Sequence, residues 1–330
     1  MPLRLLKLPD DFNPVVDLIS ETFQYPENES WNMQIEEQEQ FQDSMRNFNR
    51  IWPVVRLIQL FSPPARDLMR GYVWEEENQM VGITTVQRRG STDVWMVGTV
   101  GVLPAYRRRG VARELVTAGL DLIRGHGGKK AILGVINGNL PAYQLYESLG
   151  FVHFSSNITY QITPKATPIE PILPGGYTFS ELKPFDWRPR YELEKRISPE
   201  SLQKYEPVEV GRFRLSPIMR LLWPLIMYAQ GMNQKSFEIH TLPEGKIIAW
   251  FRYTIPTRGK GLNNLEIRLD AEHPDLAPFL LEYLMYKVVT LSPGRRVEIS
   301  VPIWMPAVVA AVEAAGFERR LEEGYMGLEL

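Results

Sequence analysis

Periods of two and of 3.6 in the apolar positions mark out the elements of this chain. YVWEEENQMVGITTV, Tyr72 to Val86, reads as strand, charged turn, strand, and FEIHTLPEGKIIAWFRY, Phe237 to Tyr253, reads the same way. VWMVGTVGV, Val94 to Val102, is a continuous apolar run rich in β-branched residues, the pattern of a buried strand. Gly98 and Gly101 interrupt it, and glycine in such a strand signals a bulge or a close backbone approach. In VARELVTAGLDLIRG the period becomes helical. Val111, Leu115, Ala118 and Leu122 share a face, with Ala112, Val116, Gly119 and Ile123 beside them, while Arg113, Thr117, Asp121 and Arg124 lie opposite. This predicts an amphipathic helix ending at Gly125. A second apolar strand, KKAILGVI (Lys129 to Ile136), leads into NGNLPAYQLYESLGF. There Asn139 is a natural N-cap, Pro141 suits the first turn, Ala142, Leu145, Tyr146 and Leu149 form a stripe, and Gly150 ends the helix.

Residues 161–176, QITPKATPIEPILPGG, carry Pro164, Pro168, Pro171 and Pro174 with almost no apolar period between them, so they read as an extended connector. The expected organisation is a first domain over 1–163, a Pro-rich linker over 164–174 and a second domain over 175–330. The halves resemble one another. RIWPVV (Arg50 to Val55) answers to RLLWPLI (Arg220 to Ile226), the two hairpin patterns correspond, and YESLGFVHF (Tyr146 to Phe154) answers to VEAAGFERR (Val312 to Arg320). Two rounds of one fold are expected. Both Trp-Pro segments read as kinked core helices. The most apolar stretch, LSPIMRLLWPLIMYA (Leu215 to Ala229), is short and broken by Arg220 and Pro224, and it reads as a buried helix instead of a membrane span.

A length of 330 residues suits two domains, with 44% apolar and 23% charged residues. The net charge of −2 argues against broad electrostatic capture of nucleic acid, so any anion recognition is local. There is no cysteine, hence no disulfide, thiolate metal site or cysteine nucleophile. The four histidines, His126, His153, His240 and His273, are not spaced as metal ligands, and no metal site is expected. MPLRLLKLPDDF reaches a charged turn before any long apolar run, unlike a signal peptide. The expected setting is cytoplasmic, with no membrane partner.

The candidate chemistry lies in YRRRGVA, Tyr106 to Ala112, between the buried strand and the helix start. Backbone N–H groups point outward at such a start, and the helix dipole favours negative charge. Gly110 permits close approach to the backbone. A pyrophosphate seat fits this pattern; a solvated charge run and a nucleic-acid patch are the other readings. Neither the Gly-Lys-Ser/Thr loop nor the three-glycine dinucleotide fingerprint is present.

The turn resembles the acyl-CoA-binding motif of the GNAT superfamily of N-acetyltransferases. Its pattern, Gln/Arg-x-x-Gly-x-Gly/Ala, appears as Arg107-Arg108-Arg109-Gly110-Val111-Ala112, after a V-x-V-x-P at Val100, Val102 and Pro104. The superfamily's N-x-x-A-x-x-L-Y-x-x-x-G-F is matched by Asn139, Ala142, Leu145, Tyr146, Gly150 and Phe151. The resemblance implies an α/β (α+β) fold of two GNAT-like domains, each a mixed, mostly antiparallel sheet flanked by helices. It implies acetyl-CoA as cosubstrate and a small-molecule or peptide amine as acceptor, in a monomer or homodimer with no nucleic-acid partner.

Residue roles follow from the same resemblance. Acetyl-CoA would lie where the strand ending near Val102 splays from the strand ending near Ile136. Backbone groups of Val100 and Val102 would pair with the pantetheine amides, and an N–H near Val100 or Gly101 would polarise the thioester carbonyl. Amides from Arg107, Arg108, Arg109, Gly110, Val111 and Ala112 would bind the pyrophosphate, with arginine side chains neutralising phosphates. Asn139 would hold the thioester end, and Tyr146 would protonate the departing thiolate.

Many members carry a strand carboxylate as general base. Here Gly98 and Thr99 stand at those positions and the nearest acid is Asp93. The base is open between a water chain, a carboxylate from elsewhere and the carboxylate of Leu330. By analogy, the segment of about residues 22–70 borders the acceptor site, with Trp31, Phe41 and Trp52 as shaping residues. The acidic run Pro26 to Asp43 reads either as a solvated helix face or as a lining for a cationic amine. In the second half the matching turn, LDAEHPDLAPFLLEYL (Leu269 to Leu284), has neither arginine nor glycine. Asp270, Glu272 and Asp275 would repel a pyrophosphate, and Val312 takes the place of Tyr146. A degenerate copy without acetyl-CoA is expected there. The alternative for the whole chain is an acyl-CoA-binding pseudoenzyme or regulatory binding module.

Overall fold

One element order occurs twice in succession. The first round is β1 (Leu3–Leu5), α1 (Phe12–Thr22), α2 (Ile35–Phe61), β2 (Arg70–Glu76), β3 (Gln79–Arg88), β4 (Val94–Val102), α3 (Val111–Gly125), β5 (Lys130–Ile136), α4 (Leu140–Ser148) and β6 (Val152–Ile162). The second is β7 (Tyr177–Glu181), four helices α5 (Arg188–Ile197), α6 (Glu200–Tyr205), α7 (Val210–Phe213) and α8 (Pro217–Gln230), then β8 (Met232–Thr241), β9 (Ile247–Pro256), β10 (Asn263–Leu269), α9 (Ala277–Leu291), β11 (Val297–Pro302), α10 (Pro306–Ala314) and β12 (Glu318–Glu329). The computed structural model describes residues 2–25, 28–61, 70–183, 185–259 and 261–330. Pro26 and Glu27 of the acidic run, and residues 62–69 of the acceptor-side segment, lie outside the described residues. No helix among the described residues is long and apolar enough to cross a membrane.

The chain forms two compact units. The first holds Met1–Phe154, Lys204–Pro207 and Gly324–Leu330; the second holds Ser155–Gln203 and Val208–Glu323. In the first unit the strands run β1-β2-β3-β4-β5. All neighbours pair antiparallel except β4 with β5. In the second the order is β6-β11-β10-β9-β8-β7, and only β10 with β11 is parallel. Helices α1 and α3 pack on the first sheet, and α5 and α9 on the second. Each unit is a mixed, mostly antiparallel sheet flanked by helices, the fold expected.

These units are not the linear segments 1–163 and 175–330. The end of the first round enters the second unit, where Asn157–Ile162 pairs with Val297–Pro302 of β11. The end of the second round enters the first unit, where the Leu330 amide donates to the Lys129 carbonyl at 2.9 Å. A strand edge is satisfied by any backbone that reaches it, and one-dimensional periodicity does not say which strand that is. The proline-bearing residues 163–176 form no helix or strand.

Alternation decides what each strand face meets. On β9 and β10, Phe251, Tyr253, Leu265 and Ile267 join the core beneath α9, while Trp250 packs with Leu193 of α5 on the other face. In the first unit Trp52 is buried edge-on against Phe12, as a core residue of α2, which continues through Pro53. The second Trp-Pro helix departs from expectation. Instead of being buried, α8 exposes Ile218, Leu221, Leu225 and Tyr228 along one stripe, with Leu221 81% exposed. It packs against β8 through its other face, so high apolar content did not translate into enclosure.

Candidate active site

The site begins with a defect in a strand. Gly98 and Thr99 of β4 together oppose the single residue Thr85 of β3, a β-bulge, and the Thr99 amide donates to Thr85 Oγ1 at 2.9 Å. A Cβ on residue 98 would lie 2.6 Å from that oxygen, which is why this position is glycine. Pairing of β4 with β5 covers only Val94–Met96 and Lys130–Ile132. From Val97 onward β4 is laddered to β3 alone, so Val100, Gly101 and Val102 line the side where the two parallel strands part.

Beyond β4 the chain makes a tight turn in which Arg108 and Gly110 both take the left-handed conformation, at φ 64° and 84°. Space does not dictate the glycine, since no atom lies within 4 Å of a Cβ at 110; backbone conformation does. The first helical hydrogen bond of α3 runs from the Glu114 amide to the Gly110 carbonyl. The amides of Val111, Ala112 and Arg113 are therefore the unpaired donors of a helix start. Val111 faces inward against Val102 and Leu115, and Ala112 is half-buried. The three arginines are exposed but have different partners. Arg107 donates from Nε to the Val102 carbonyl at 3.0 Å and from Nη2 to the Thr22 carbonyl at 2.9 Å, tying the turn to the end of α1. Arg109 lies over the Tyr106 ring at 5.0 Å. An anion facing the turn would therefore meet Arg108 and Arg109 as side-chain charges, with Arg107 acting as a brace.

The second motif forms α4. Asn139 caps it, its side-chain oxygen accepting from the Ala142 amide at 3.4 Å. Tyr146, about two turns further on, is 6% exposed and stands edge-on to Phe151 in the core that includes Val97, Val135 and Met326. Burial, and then the neighbouring Tyr25, pushes its phenol up to about 12. No hydrogen bond among the described residues engages its phenolic oxygen.

The base candidates separate by position. Asp93 precedes β4 and pairs with Lys129 at 3.7 Å, roughly 25 Å along the strand from Gly101. Leu330 lies beside Lys129 at the start of β5, roughly 20 Å from Ile136. Leu330 is thus at the wrong end of the sheet to act as base, because β12 reaches β5 antiparallel and ends where β5 begins. Of the three aromatic shaping residues, Trp31 alone reaches the strand ends, its ring 3.1 Å from a Cβ at Gly138. Phe41 packs on the core beneath α1, and Trp52 lies between Phe12 and Phe48. Sequence reasoning missed Tyr25, which makes ring contact with Trp31 at 5.5 Å. No periodicity marks it, since it follows a helix end in an irregular loop.

Residues 17–151 match the profile of the acetyltransferase (GNAT) family. Mycothiol acetyltransferase of Corynebacterium glutamicum is 39% identical over 90 residues, 27% of this chain and 30% of that protein. Its counterpart in Thermomonospora curvata is 40% identical over 68 residues, 21% of this chain and 23% of that protein. The chain thus aligns with less than a third of each of these relatives. A tandem GNAT protein from the clavulanic acid biosynthesis pathway has a similar fold, with TM-score 0.66, 15% identity, and coverage of 99% of this chain and 98% of that one. A GCN5-related N-acetyltransferase from Sphaerobacter thermophilus gives TM-score 0.66 at 15% identity, covering 99% and 96%. The segment that matches the acetyltransferase (GNAT) family profile contains the parted strands, the arginine turn and Tyr146, within a chain whose fold is similar to that of tandem GNAT proteins.

Proposed function

We propose that the first unit is an acetyl-CoA-dependent N-acetyltransferase in which an amine attacks the thioester directly and Tyr146 is the general acid. The observation that carries this reading is a buried phenol, held protonated far above neutral pH, with no hydrogen-bond partner among the described residues. The surroundings fit acetyl-CoA. The unpaired side of β4 at Val100–Val102 suits an amide-bearing chain, and the helix-start amides of Val111 and Ala112 with Arg108 and Arg109 suit a pyrophosphate. Asn139 spends its side-chain oxygen on the cap and keeps its amide nitrogen for a ligand carbonyl. Bound acetyl-CoA supplies the acetyl group as a thioester. Tyr146 gives its proton to the leaving sulfur, so the O–H bond breaks as the S–H bond forms, and solvent restores the phenol.

The acceptor is a small-molecule or peptide amine, and the general base is a water chain or a carboxylate other than Asp93 and Leu330. The second unit is a copy without acetyl-CoA, because Asp270, Glu272 and Asp275 stand in place of the arginine turn. One observation favours the alternative of a non-catalytic acyl-CoA-binding module: Thr85 leaves no room for a carboxylate at residue 98. Thiol release from acetyl-CoA with a panel of amines decides between them. Turnover that falls in Tyr146→Phe supports catalysis; binding of acetyl-CoA with no turnover on any amine supports the module.

A further inference from the structure

A charged layer lies on the face of the second sheet that α5 covers. Trp250 of β9 is at its centre, fully buried and packed against Leu193. Alternation puts Arg252 on the same face, and the register sets Arg268 opposite Trp250 and Glu266 opposite Arg252. Arg190, about one turn before Leu193 on α5, comes down on this layer. Its guanidinium carbon lies 4.5 Å from the Trp250 ring centre, with those of Arg252 and Arg268 at 5.6 and 5.7 Å. Phe213 of α7 stands beside Arg190 at 5.8 Å. Three guanidiniums thus share one indole, and two carboxylates answer two of them. Arg252 pairs with Glu266, and Arg268 with Glu266 at 3.1 Å and with Glu194 at 3.6 Å. Arg190 has no ion pair with a described residue, and its Nε is buried without a hydrogen-bond partner, as is Trp250 Nε1. Glu238, opposite Trp250 on β8, accepts from Ser180 at 3.2 Å through one oxygen; its other oxygen meets no donor, so it does not reach Arg190.

We propose that this layer is a binding site for a small carboxylic acid, whose carboxylate seats on the outer edge of Arg190 and balances the charge that Glu266 and Glu194 leave over. Arg190 is half-buried, not sealed, so a ligand from solvent reaches that edge. A planar carboxylate accepts two parallel N–H bonds from one guanidinium edge. Phosphate fits less well, because its second charge meets Glu194, Glu266 and Glu238. Ring contact with Trp250 and Phe213 already holds the guanidinium in place, which lowers the ordering that binding requires. The electrostatics agree with the geometry. Burial, and then Arg252, oppose the charge on Arg190 more than Glu266 and Glu194 favour it, pushing the guanidinium down to about 10. Arg190 stays charged at neutral pH, but under-compensated. The site lies wholly in the second unit and is independent of the role given to Tyr146.

The test follows the indole N–H resonances of the full chain, with that of Trp250 assigned through Trp250→Phe. N-acetylglycine is expected to shift the Trp250 resonance saturably, with half-saturation below about 10 mM. N-acetylglycinamide, which lacks the carboxylate, should leave it unmoved, and inorganic phosphate should bind at least about tenfold more weakly. Arg190→Lys keeps the charge but loses the two-pronged donor, so it should weaken N-acetylglycine binding at least about tenfold; Arg190→Gln should abolish it. Arg258→Gln, at an exposed arginine of the same unit, should bind as the wild type does. Should Arg190→Gln fail to fold, Arg190→Lys decides. The absence of a saturable shift in the wild type overturns the proposal. So does a shift that N-acetylglycinamide or phosphate matches, or one that persists at full strength in Arg190→Lys.

Discussion

A phenol surrounded by Val97, Val135 and Phe151 keeps its proton because the charged form loses its hydration and gains no partner. For Tyr146 the consequence is visible in stability as well as in rate. Its folded value, about 12, lies above its ordinary value of 10, so the contribution is whole below pH 10 and is lost as pH rises towards 12. The loss amounts to about 2–3 kcal/mol. Tyr160 is raised to about 12 as well, so the difference between wild type and Tyr146→Phe isolates the effect. Denaturant unfolding from pH 9 to 11 should show a steeper decline in the wild type; parallel slopes would refute the assignment. In activity, Tyr146→Phe is expected to cost about 100-fold or more in thiol release at neutral pH. Gly98 offers a second test at this scale. Gly98→Ala should destabilise by about 1–3 kcal/mol, measured by urea unfolding, and adding Thr85→Ala should restore most of it, because the clash is with one side-chain oxygen.

Among the elements, the last stretch of β12 does more than its position at the end of the chain suggests. Met326 is fully buried in the core that holds Tyr146 and Phe151, with Leu328 and Leu330 packed against it. Met326→Ala is expected to cost about 2–5 kcal/mol and to weaken acetyl-CoA binding, although residue 326 lies far in sequence from the motifs. Equal stability of this variant and the wild type in thermal unfolding would disprove the exchange of strand ends between the units. The contrasting case is α8, where Leu221→Gln should change stability by no more than about 0.5 kcal/mol because Leu221 is already in water. The strands and helices from Val94 to Ser148 were legible from periodicity because local hydrogen bonding and one apolar stripe specify each of them. Exposure of α8 was not, since apolar content reports what a helix can bury and not what stands opposite it.

For the whole molecule, two rounds of one element order carry one arginine-bearing turn at a helix start. Titration calorimetry is expected to give one acetyl-CoA per chain, with affinity reduced by Arg108→Ala or Arg109→Ala. Two equivalent sites would contradict the reading of the second unit. Arg107→Ala should act differently, loosening the tie between the turn and Thr22, so it lowers thermal stability as well as affinity.

The sequence by itself determined the buried strand, the arginine turn, the helix that follows it, and the capped helix bearing Tyr146. Each of these depends on residues within one or two turns of one another. The tertiary structure decided which strand ends complete which sheet, and it placed Leu330 beside Lys129 instead of near the parted ends of β4 and β5. It tied the Arg107 guanidinium to the Val102 and Thr22 carbonyls, filled the space at Gly98 with Thr85, and brought Trp31 against Tyr25 and Gly138. Those outcomes depend on backbone pairing and side-chain contact between segments distant in sequence, which no local period encodes.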